Sequence, residues 1–140
     1  MNKIEISFIT INYNSSNLTI KLVDSIISQT VNLDFEIIVV DNASQNEDFQ
    51  NLCDSLNRFD QVKIIKNKIN SGFASGNMLG VNYATGRYYF FINNDCILLN
   101  NTSKILKDFL DFNQDVGVAT AKVLDNNGNY SSSYKQFPHL

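Results

Sequence analysis

The 140-residue sequence predicts a single α/β domain with a mostly parallel central sheet and helices on both faces. Three observations support this Rossmann-like prediction. Runs typical of strands and runs typical of amphipathic helices alternate four times along the chain. The segments between strands are long enough for crossover helices, which parallel strands require. The run FEIIVV at residues 35–40 is almost wholly apolar, as expected for a strand that is covered on both faces.

The predicted elements follow in a regular order. Strands are predicted at residues 4–11, 35–40, 62–65, 87–92 and 116–124. Helices are predicted at residues 17–29, around 49–56, within the loop-to-helix stretch 67–86, and around 105–110. Leu18, Leu22 and Ile26 show the helical spacing of the first helix. Residues 126–128 (NNG) indicate a turn.

The composition is that of a globular protein and excludes several functional classes. The chain is 44% hydrophobic and 18% charged, with a net charge of −3 and no basic run, so it offers no face for nucleic acid. No apolar stretch reaches the ~20 residues that span a bilayer, and the N-terminus lacks a signal-peptide core. Cys53 and Cys96 form no metal or disulfide framework, which favours the cytoplasm.

Four polar clusters each follow a predicted strand. They lie at residues 12–14 (NYN), 41–42 (DN), 67–72 (NKINSG) and 93–95 (NND). The residues that lead into the strands show no comparable clusters. Because the carboxyl ends of parallel strands lie along one rim, where ligands bind in such sheets, the sequence predicts a binding site there.

Each cluster also has a structural interpretation. Asp41 is either a turn or N-cap residue or an acceptor for a nucleobase or ribose group. Asn70 and Gly72 lie at a helix start whose bare N–H groups suit a phosphate, whereas Gly80 indicates close packing of helix on sheet. Asp95 and its flanking amides either form a turn with side-chain hydrogen bonds or hold a divalent cation together with diphosphate oxygens.

Three further residues, Tyr13, Cys96 and His139, belong to no motif of their own. Tyr13 directly follows the first strand and is a candidate to stack on a base. Cys96 adjoins the cluster at residues 93–95, but its type favours a small buried side chain over a ligand. His139 has no visible partner in the sequence. A receiver-type regulatory domain is disfavoured, because the first strand ends in TINYN and not in an acidic cluster.

Four segments resemble the inverting glycosyltransferases of family 2 with the GT-A fold, especially their rhamnosyltransferase-like branch. The segments are FITINYNSSN (8–17), IIVVDNAS (37–44), NKINSGFASGNMLGVNYATG (67–86) and YYFFINND (88–95), in the family's order and spacing. The resemblance implies transfer of a sugar from a UDP- or dTDP-linked donor to a saccharide or lipid-linked acceptor in cell-surface polysaccharide synthesis. It also implies a cytoplasmic location, with peripheral association at the inner face of the cell membrane left open.

The resemblance further implies roles for individual residues. Those expected to bind the nucleotide sugar are Ile11, Tyr13, Asp41, Asn70, Gly72, Asn77, Asn93 and Asn94. Ile11 and Tyr13 border the base, and Asp41 meets the base and the ribose. Residues 93–95 correspond to the family's DxD element, in which Asp95 contacts Mn²⁺ or Mg²⁺. Asn93 replaces the first Asp of that element, which leaves the dependence on metal open.

The resemblance also divides the chain. Residues 1–125 correspond to a GT-A nucleotide-sugar-binding domain, and residues 126–140 to the incomplete start of an acceptor-side region. The general base of the family lies in the acceptor half, outside this chain, and neither Asp115 nor Asp125 has a motif for that role. Two interpretations stay open: the donor-binding half of a transferase, or a binding module that needs a partner or the missing C-terminal half for catalysis.

Overall fold

The computed structural model describes residues 3–131 and confirms the predicted alternation of strands and helices through the fourth helix. The elements are β1 (Ile6–Asn12), α1 (Ser16–Gln29), β2 (Phe35–Asp41), α2 (Asn46–Leu56), β3 (Val62–Lys66), α3 (Gly72–Val81), β4 (Tyr88–Phe91), α4 (Thr102–Phe112), β5 (Val123–Leu124) and β6 (Tyr130–Ser131). Among the described residues, none of the helices has the length and apolarity needed to cross a membrane.

The first four strands form one sheet in the order β3-β2-β1-β4, and every pairing in it is parallel. Ile6 lies opposite Phe35 and Asn12 opposite Asp41, so β1 and β2 end together. The chain moves outward from β1 to β3 and then crosses to the other side of β1 for β4. The order therefore reverses between β1 and β4, and ligands of such sheets bind outside the carboxyl ends at this point.

Alternate residues of the strands point to opposite faces and form two cores. Phe8 belongs to the core that α1 and α2 cover with Leu22 and Leu52. On the opposite face, Ile9 and Ile38 belong to a smaller core that residues of α3 cover. The predicted helices on both faces of the sheet are thereby confirmed.

Helix α3 lies close to the sheet because two residues that face it, Gly76 and Gly80, lack a side chain. A Cβ atom on Gly80 would lie 2.6 Å from Ile9 Cγ2, and one on Gly76 would lie 2.8 Å from Ile11 Cδ1. The predicted packing role of Gly80 is confirmed. Gly72 begins the helix with a φ of +79°, a conformation that other residues rarely adopt.

A polar cluster around two buried residues, Ser7 and Glu36, also lies near the amino ends of the strands, where none was expected from the sequence. We call it the amino-end cluster; it consists of Ser7, Glu36, Lys63 and Thr85. Glu36 Oε1 accepts hydrogen bonds from Ser7 Oγ (2.7 Å) and from Thr85 N (2.6 Å) and Oγ1 (2.8 Å). Glu36 Oε2 pairs with Lys63 Nζ at 2.7 Å. Burial alone would raise the pKa of Glu36, but these bonds outweigh it and lower the pKa to about 2.

The predicted strand at residues 116–124 is wrong for most of its length. Only Val123–Leu124 forms a strand, and it pairs with Tyr130–Ser131 in an antiparallel sheet of two strands. A strand needs a neighbouring backbone for its hydrogen bonds, and within residues 3–131 only the short return of this hairpin supplies one. The chain divides into two compact units, Met1–Lys104 and Ile105–Leu140.

The predicted turn at residues 126–128 is confirmed. Gly128 has a φ of +80°, and the carboxylate of Asp125 accepts a hydrogen bond from Asn129 N at 2.8 Å. His139 lies outside the described residues, as does the rest of the segment 132–140.

Candidate functional site

A cavity of about 350 Å³ opens at the carboxyl rim of the sheet. It is lined by Ile11, Tyr13, Ser15, Asn42, Asn70, Gly72, Phe73, Ile92, Asn93, Asn94 and Asp95. Its volume falls within the range of small-molecule sites. All four polar clusters predicted from the sequence contribute residues to this one concave surface.

Most of the residues singled out in the sequence lie on the cavity wall, but two of them do not. Asp41 is fully buried, and its carboxylate accepts hydrogen bonds from Asn12 Nδ2 (3.0 Å) and Ser44 N (3.2 Å). Asn77 is buried as well, and its Nδ2 donates to Phe73 O at 3.1 Å. The structure thus places Asn42, the residue after Asp41, on the wall in its stead.

Four wall residues were not singled out in the sequence: Ser15, Asn42, Phe73 and Ile92. Phe73 is the most informative, because 66% of it is exposed at the start of α3, and an open aromatic face in a polar segment is a usable sequence signal. Tyr13, also on the wall, is 50% exposed. Two open aromatic rings on one cavity suit contact with a planar ring of a ligand.

Asn42 fixes the loop between β3 and α3. Its Nδ2 donates to Asn70 Oδ1 (2.9 Å) and Gly72 O (3.3 Å), and its Oδ1 accepts from Ser71 N and from Asn67 Nδ2 (both 3.2 Å). Gly72 N donates to Asn70 Oδ1 at 3.0 Å. The N–H group of Gly72 is therefore already engaged by the side chain of Asn70, and the binding of a phosphate at this helix start stays a prediction.

Asn12 is the centre of a second set of polar residues, which we call the carboxyl-end network. It consists of the buried Asn12, Thr19, Asp41 and Ser44 and the half-buried Asp48. The two N–H groups of Asn12 Nδ2 are shared among three acceptors: Asp41 Oδ1 (3.0 Å), Ser44 Oγ (3.1 Å) and Asp48 Oδ2 (2.8 Å). Asn12 Oδ1 accepts from Thr19 Oγ1 at 2.9 Å. One neutral amide thus joins the ends of β1 and β2 to α1 and α2.

Asp48 carries a charge within this network. Burial alone would raise the pKa of Asp48, but hydrogen bonds from Asn12 and Ser16 lower it below its ordinary value. Ser16 N and Oγ donate to Asp48 Oδ1 at 2.9 and 2.7 Å. The carboxylate lies at the first turns of α1 and α2, where the helix dipoles also favour a negative charge.

Residues 93–95 form a turn directly after β4. Asn94 Nδ2 donates to Ser15 Oγ (2.7 Å) and Thr19 Oγ1 (3.0 Å). Asn94, the middle residue of the turn, is thus bonded to α1 and to Ser15, which directly precedes α1. Asn93 and Asp95 flank it, and both are exposed at the cavity. The turn therefore presents one carboxylate and one amide to whatever occupies the cavity.

These donors fit a divalent cation that is shared with a ligand, because hard cations prefer oxygen atoms. Within residues 3–131, no three or more His, Cys, Asp or Glu side chains are grouped to hold a metal. A cation at Asp95 would therefore take most of its ligands from bound phosphate and water. Burial raises the pKa of the Cys96 thiol, as does the neighbouring Asp95, so Cys96 is a poor ligand.

Comparisons with known sequences identify relatives over most of the chain. The family model for glycosyl transferase family 2 matches residues 7–139. An uncharacterized glycosyltransferase of Rickettsia bellii is 29% identical over 122 residues, which are 86% of this chain. One from Rickettsia conorii is 29% identical over 113 residues, which are 81% of this chain. The chain spans only 17% and 18% of the length of these two proteins.

Solved structures share the arrangement of the elements. Residues 1–349 of Staphylococcus aureus TarS, in complex with UDP-GlcNAc, match with a TM-score of 0.67 and 25% identity, covering 79% of this chain and 32% of that one. A mannosyltransferase from Pyrobaculum calidifontis, in complex with GDP-Man and Mn²⁺, matches with a TM-score of 0.64, covering 74% of this chain and 31% of that one. Its identity is 17%, so this second likeness shows the fold alone.

Proposed function

The chain belongs to glycosyl transferase family 2, and we propose that its rim cavity binds the nucleotide-diphosphate part of a sugar donor. The predicted family and GT-A fold are confirmed by the family match and by the solved structures. The observation that carries the proposal is the convergence of four loops on one cavity at the switch point of the sheet.

We assign the base of the nucleotide to the side of the cavity that Tyr13, Ile11 and Phe73 line. This assignment is supported by the exposure of both aromatic rings on the cavity. The donor nucleotide is proposed to be UDP or dTDP, since the TarS domain, at 25% identity, was solved with UDP-GlcNAc. Asp41, buried behind the wall, would support the site through Asn12.

The diphosphate is assigned to the turn at residues 93–95 and to the loop that carries Asn70. Asn93 and Asp95 would hold Mn²⁺ or Mg²⁺ together with the diphosphate oxygens. When bound, such a cation supplies positive charge that offsets the charge of a departing nucleotide diphosphate. The side chains of the protein would orient the donor and exclude water from one side of it.

The reaction is proposed to be inverting transfer of a hexosyl or rhamnosyl group. We further propose a saccharide or lipid-linked acceptor, a role in cell-surface polysaccharide synthesis and a location at the inner face of the cell membrane. The resemblance of the sequence segments supports these three points. Of the residues that line the cavity, Asp95 is the only carboxylate. Because Asp95 is assigned to the diphosphate, none of the wall residues is left to act as the general base.

That observation favours a second candidate function, a binding module that needs a partner or a C-terminal half for catalysis. Incubation of the 140-residue chain with a UDP-sugar and simple saccharide acceptors distinguishes the two. We expect slow hydrolysis of the donor at most. Robust transfer by this chain alone would contradict the assignment of the base to a region outside it.

Ligand binding is tested by thermal unfolding with UDP, dTDP and GDP, each with EDTA or with Mn²⁺. Free ligand at ~100 times Kd stabilises the folded state by roughly 2.7 kcal/mol. Asp95→Asn should remove only the gain that depends on Mn²⁺, whereas the exposed control Asp60→Asn should change nothing. Absence of stabilisation by every nucleotide, with and without metal, would overturn the proposal.

A further inference from the structure

We infer that Asn94 and Thr19 are positioning residues, which hold the turn at residues 93–95 in place through a hydrogen-bond relay that begins at Asn12. The inference rests on the proposed function of the cavity, because it concerns the turn assigned to the diphosphate. The relay runs from Asn94 Nδ2 to Thr19 Oγ1 (3.0 Å) and from Thr19 Oγ1 to Asn12 Oδ1 (2.9 Å). Asn94 would then act on the site through its neighbours, while its direct contact with the sugar donor stays a prediction.

The N–H groups of the Asn94 side chain already have acceptors within the protein. An asparagine amide has two N–H groups, and Asn94 Nδ2 donates to Ser15 Oγ at 2.7 Å as well as to Thr19 Oγ1. Both are therefore engaged within the protein. Asn94 lines the cavity, but its Nδ2 has no N–H left to donate to a phosphate oxygen.

The orientation of the relay is set by two carboxylates. Asn12 Nδ2 donates to Asp41 Oδ1 (3.0 Å) and Asp48 Oδ2 (2.8 Å), so the amide cannot turn over without placing Oδ1 against them. Asn12 Oδ1 must then face Thr19, which directs its single hydroxyl hydrogen to Asn12. Thr19 Oγ1 is left as an acceptor, and Asn94 supplies the matching donor.

The anchored residue lies between the two that are proposed to meet the ligand. Asn93 O accepts from Cys96 N at 3.1 Å, which closes the turn, while Asn93 and Asp95 stay exposed. The following segment is tied to α1 as well, because Leu98 N donates to Ser25 Oγ at 3.0 Å. The position of Asp95 thus depends on helix α1, to which the residues on both sides of it are bonded.

The chain offers a matched pair of substitutions for the test. Thr19→Val removes the hydroxyl at the middle of the relay with little change of shape. Thr10→Val removes an equally buried hydroxyl that has no hydrogen-bond partner among the described residues. Thr19→Ser keeps the hydroxyl and serves as the rescue. Ser15→Ala removes the other acceptor of Asn94 at a half-buried position and serves if Thr19→Val does not fold.

The first measurement is the affinity for UDP by calorimetry, in EDTA and in Mn²⁺, with the 140-residue chain. Thr19→Val should reduce the Mn²⁺-dependent gain in affinity about five-fold, the effect of one net hydrogen bond, and leave affinity in EDTA within about two-fold. Thr10→Val and Thr19→Ser should behave like the parent chain. An equal loss in EDTA and in Mn²⁺ would indicate a general loss of structure and would contradict a positioning role.

The second measurement needs no ligand. Amide hydrogen exchange at residues 94–96 should be faster in Thr19→Val, or in Ser15→Ala, than in Thr10→Val under conditions that favour the folded state. Equal exchange would overturn the inference whether or not UDP binds. If the parent chain binds no nucleotide while exchange at the turn increases as expected, the proposed function fails and the relay stands.

Discussion

The amino-end cluster and the carboxyl-end network lie near opposite ends of the same strands, but they differ in the group at their centre and in their connection to the cavity. In the amino-end cluster, the buried carboxylate of Glu36 is closed by three bonds to one oxygen and by Lys63 at the other. In the carboxyl-end network, a neutral amide, that of Asn12, lies at the centre and donates to two carboxylates. The network continues through Thr19 and Asn94 to the cavity.

The difference separates a stabilising element from one that positions a site. A buried charge whose hydrogen-bonding capacity is filled within the protein is costly to disturb and has nothing left for a ligand. A neutral amide can fix the orientation of several side chains without adding to the negative charge of Asp48 that the carboxyl-end network already contains. Removal of the Glu36 carboxylate should lower the stability of the fold. Removal of the Asn12 amide should lower stability less and should disturb the cavity more.

The largest effect is expected for Glu36→Ala. Loss of the carboxylate leaves the Ser7 hydroxyl and the Thr85 N–H without their acceptor, so the free energy of unfolding should fall by about 3 kcal/mol. Urea denaturation measures this, with the exposed Glu47→Ala as control. A loss for Glu36→Ala as small as that of the control would show that the amino-end cluster does not stabilise the fold.

The stability that Glu36 contributes should also depend on pH. The folded-state pKa of Glu36 is lowered from 4.5 to about 2, so its contribution is complete above pH 4.5 and is lost as the pH falls towards 2. The loss amounts to up to about 3 kcal/mol. Glu36→Gln should remove most of this pH dependence. A smaller part should remain, because the pKa of Asp48 is lowered as well. An unchanged acid profile in Glu36→Gln would contradict the assignment.

Asn12→Asp should reverse the direction of the pH dependence. A third carboxylate would lie beside Asp41 and Asp48, so repulsion should raise the pKa of the introduced carboxylate. The free energy of unfolding should fall by about 2 kcal/mol at neutral pH. Stability relative to the parent chain should therefore recover as the pH is lowered from 7.5 to 5. Asn57→Asp, at an exposed position, is the control for urea denaturation at both values. A pH-independent loss would speak against a role of Asn12 as a neutral centre.

The smallest effects are expected on the cavity wall. Tyr13→Ala and Phe73→Ala should each weaken UDP binding by a few-fold, about 1 kcal/mol of aromatic contact, and leave the free energy of unfolding within about 0.5 kcal/mol. Calorimetry checks the first and urea denaturation the second. Tyr83→Ala, similarly exposed but not on the cavity wall, is the matched control. If Tyr83→Ala weakened UDP binding as well, the assignment of Tyr13 and Phe73 to the binding site would be contradicted.

The carboxyl rim could be predicted because its polar residues occur in runs directly after strands. Parallel pairing gathers such runs regardless of their distance along the chain, and Tyr13, Asn70 and Asp95 indeed reach one cavity. The choice between Asp41 and Asn42 could not be predicted. Which of two successive residues faces the ligand depends on the pleat and register of β2, and the sequence does not fix these to one residue.

The amino-end cluster was missed because its members occur singly. Ser7, Glu36 and Thr85 come from three distant segments, each within or beside an apolar run, and they meet only once the order of the strands is known. The error at residues 116–124 has a similar cause. A β-rich run becomes a strand only where another strand is available to pair with it, and the pairing partner is not a property of the run itself.

A substitution at Gly76 would change the size of the cavity, although Gly76 lies behind the residues that line it. A Cβ atom there would press on Ile11 Cδ1 at 2.8 Å and approach Asn42 Nδ2 at 3.7 Å, and both of these residues line the cavity. An engineer who wished to narrow the pocket for a smaller ligand could therefore introduce alanine on the hidden side of α3. No group that meets the ligand would have to be exchanged.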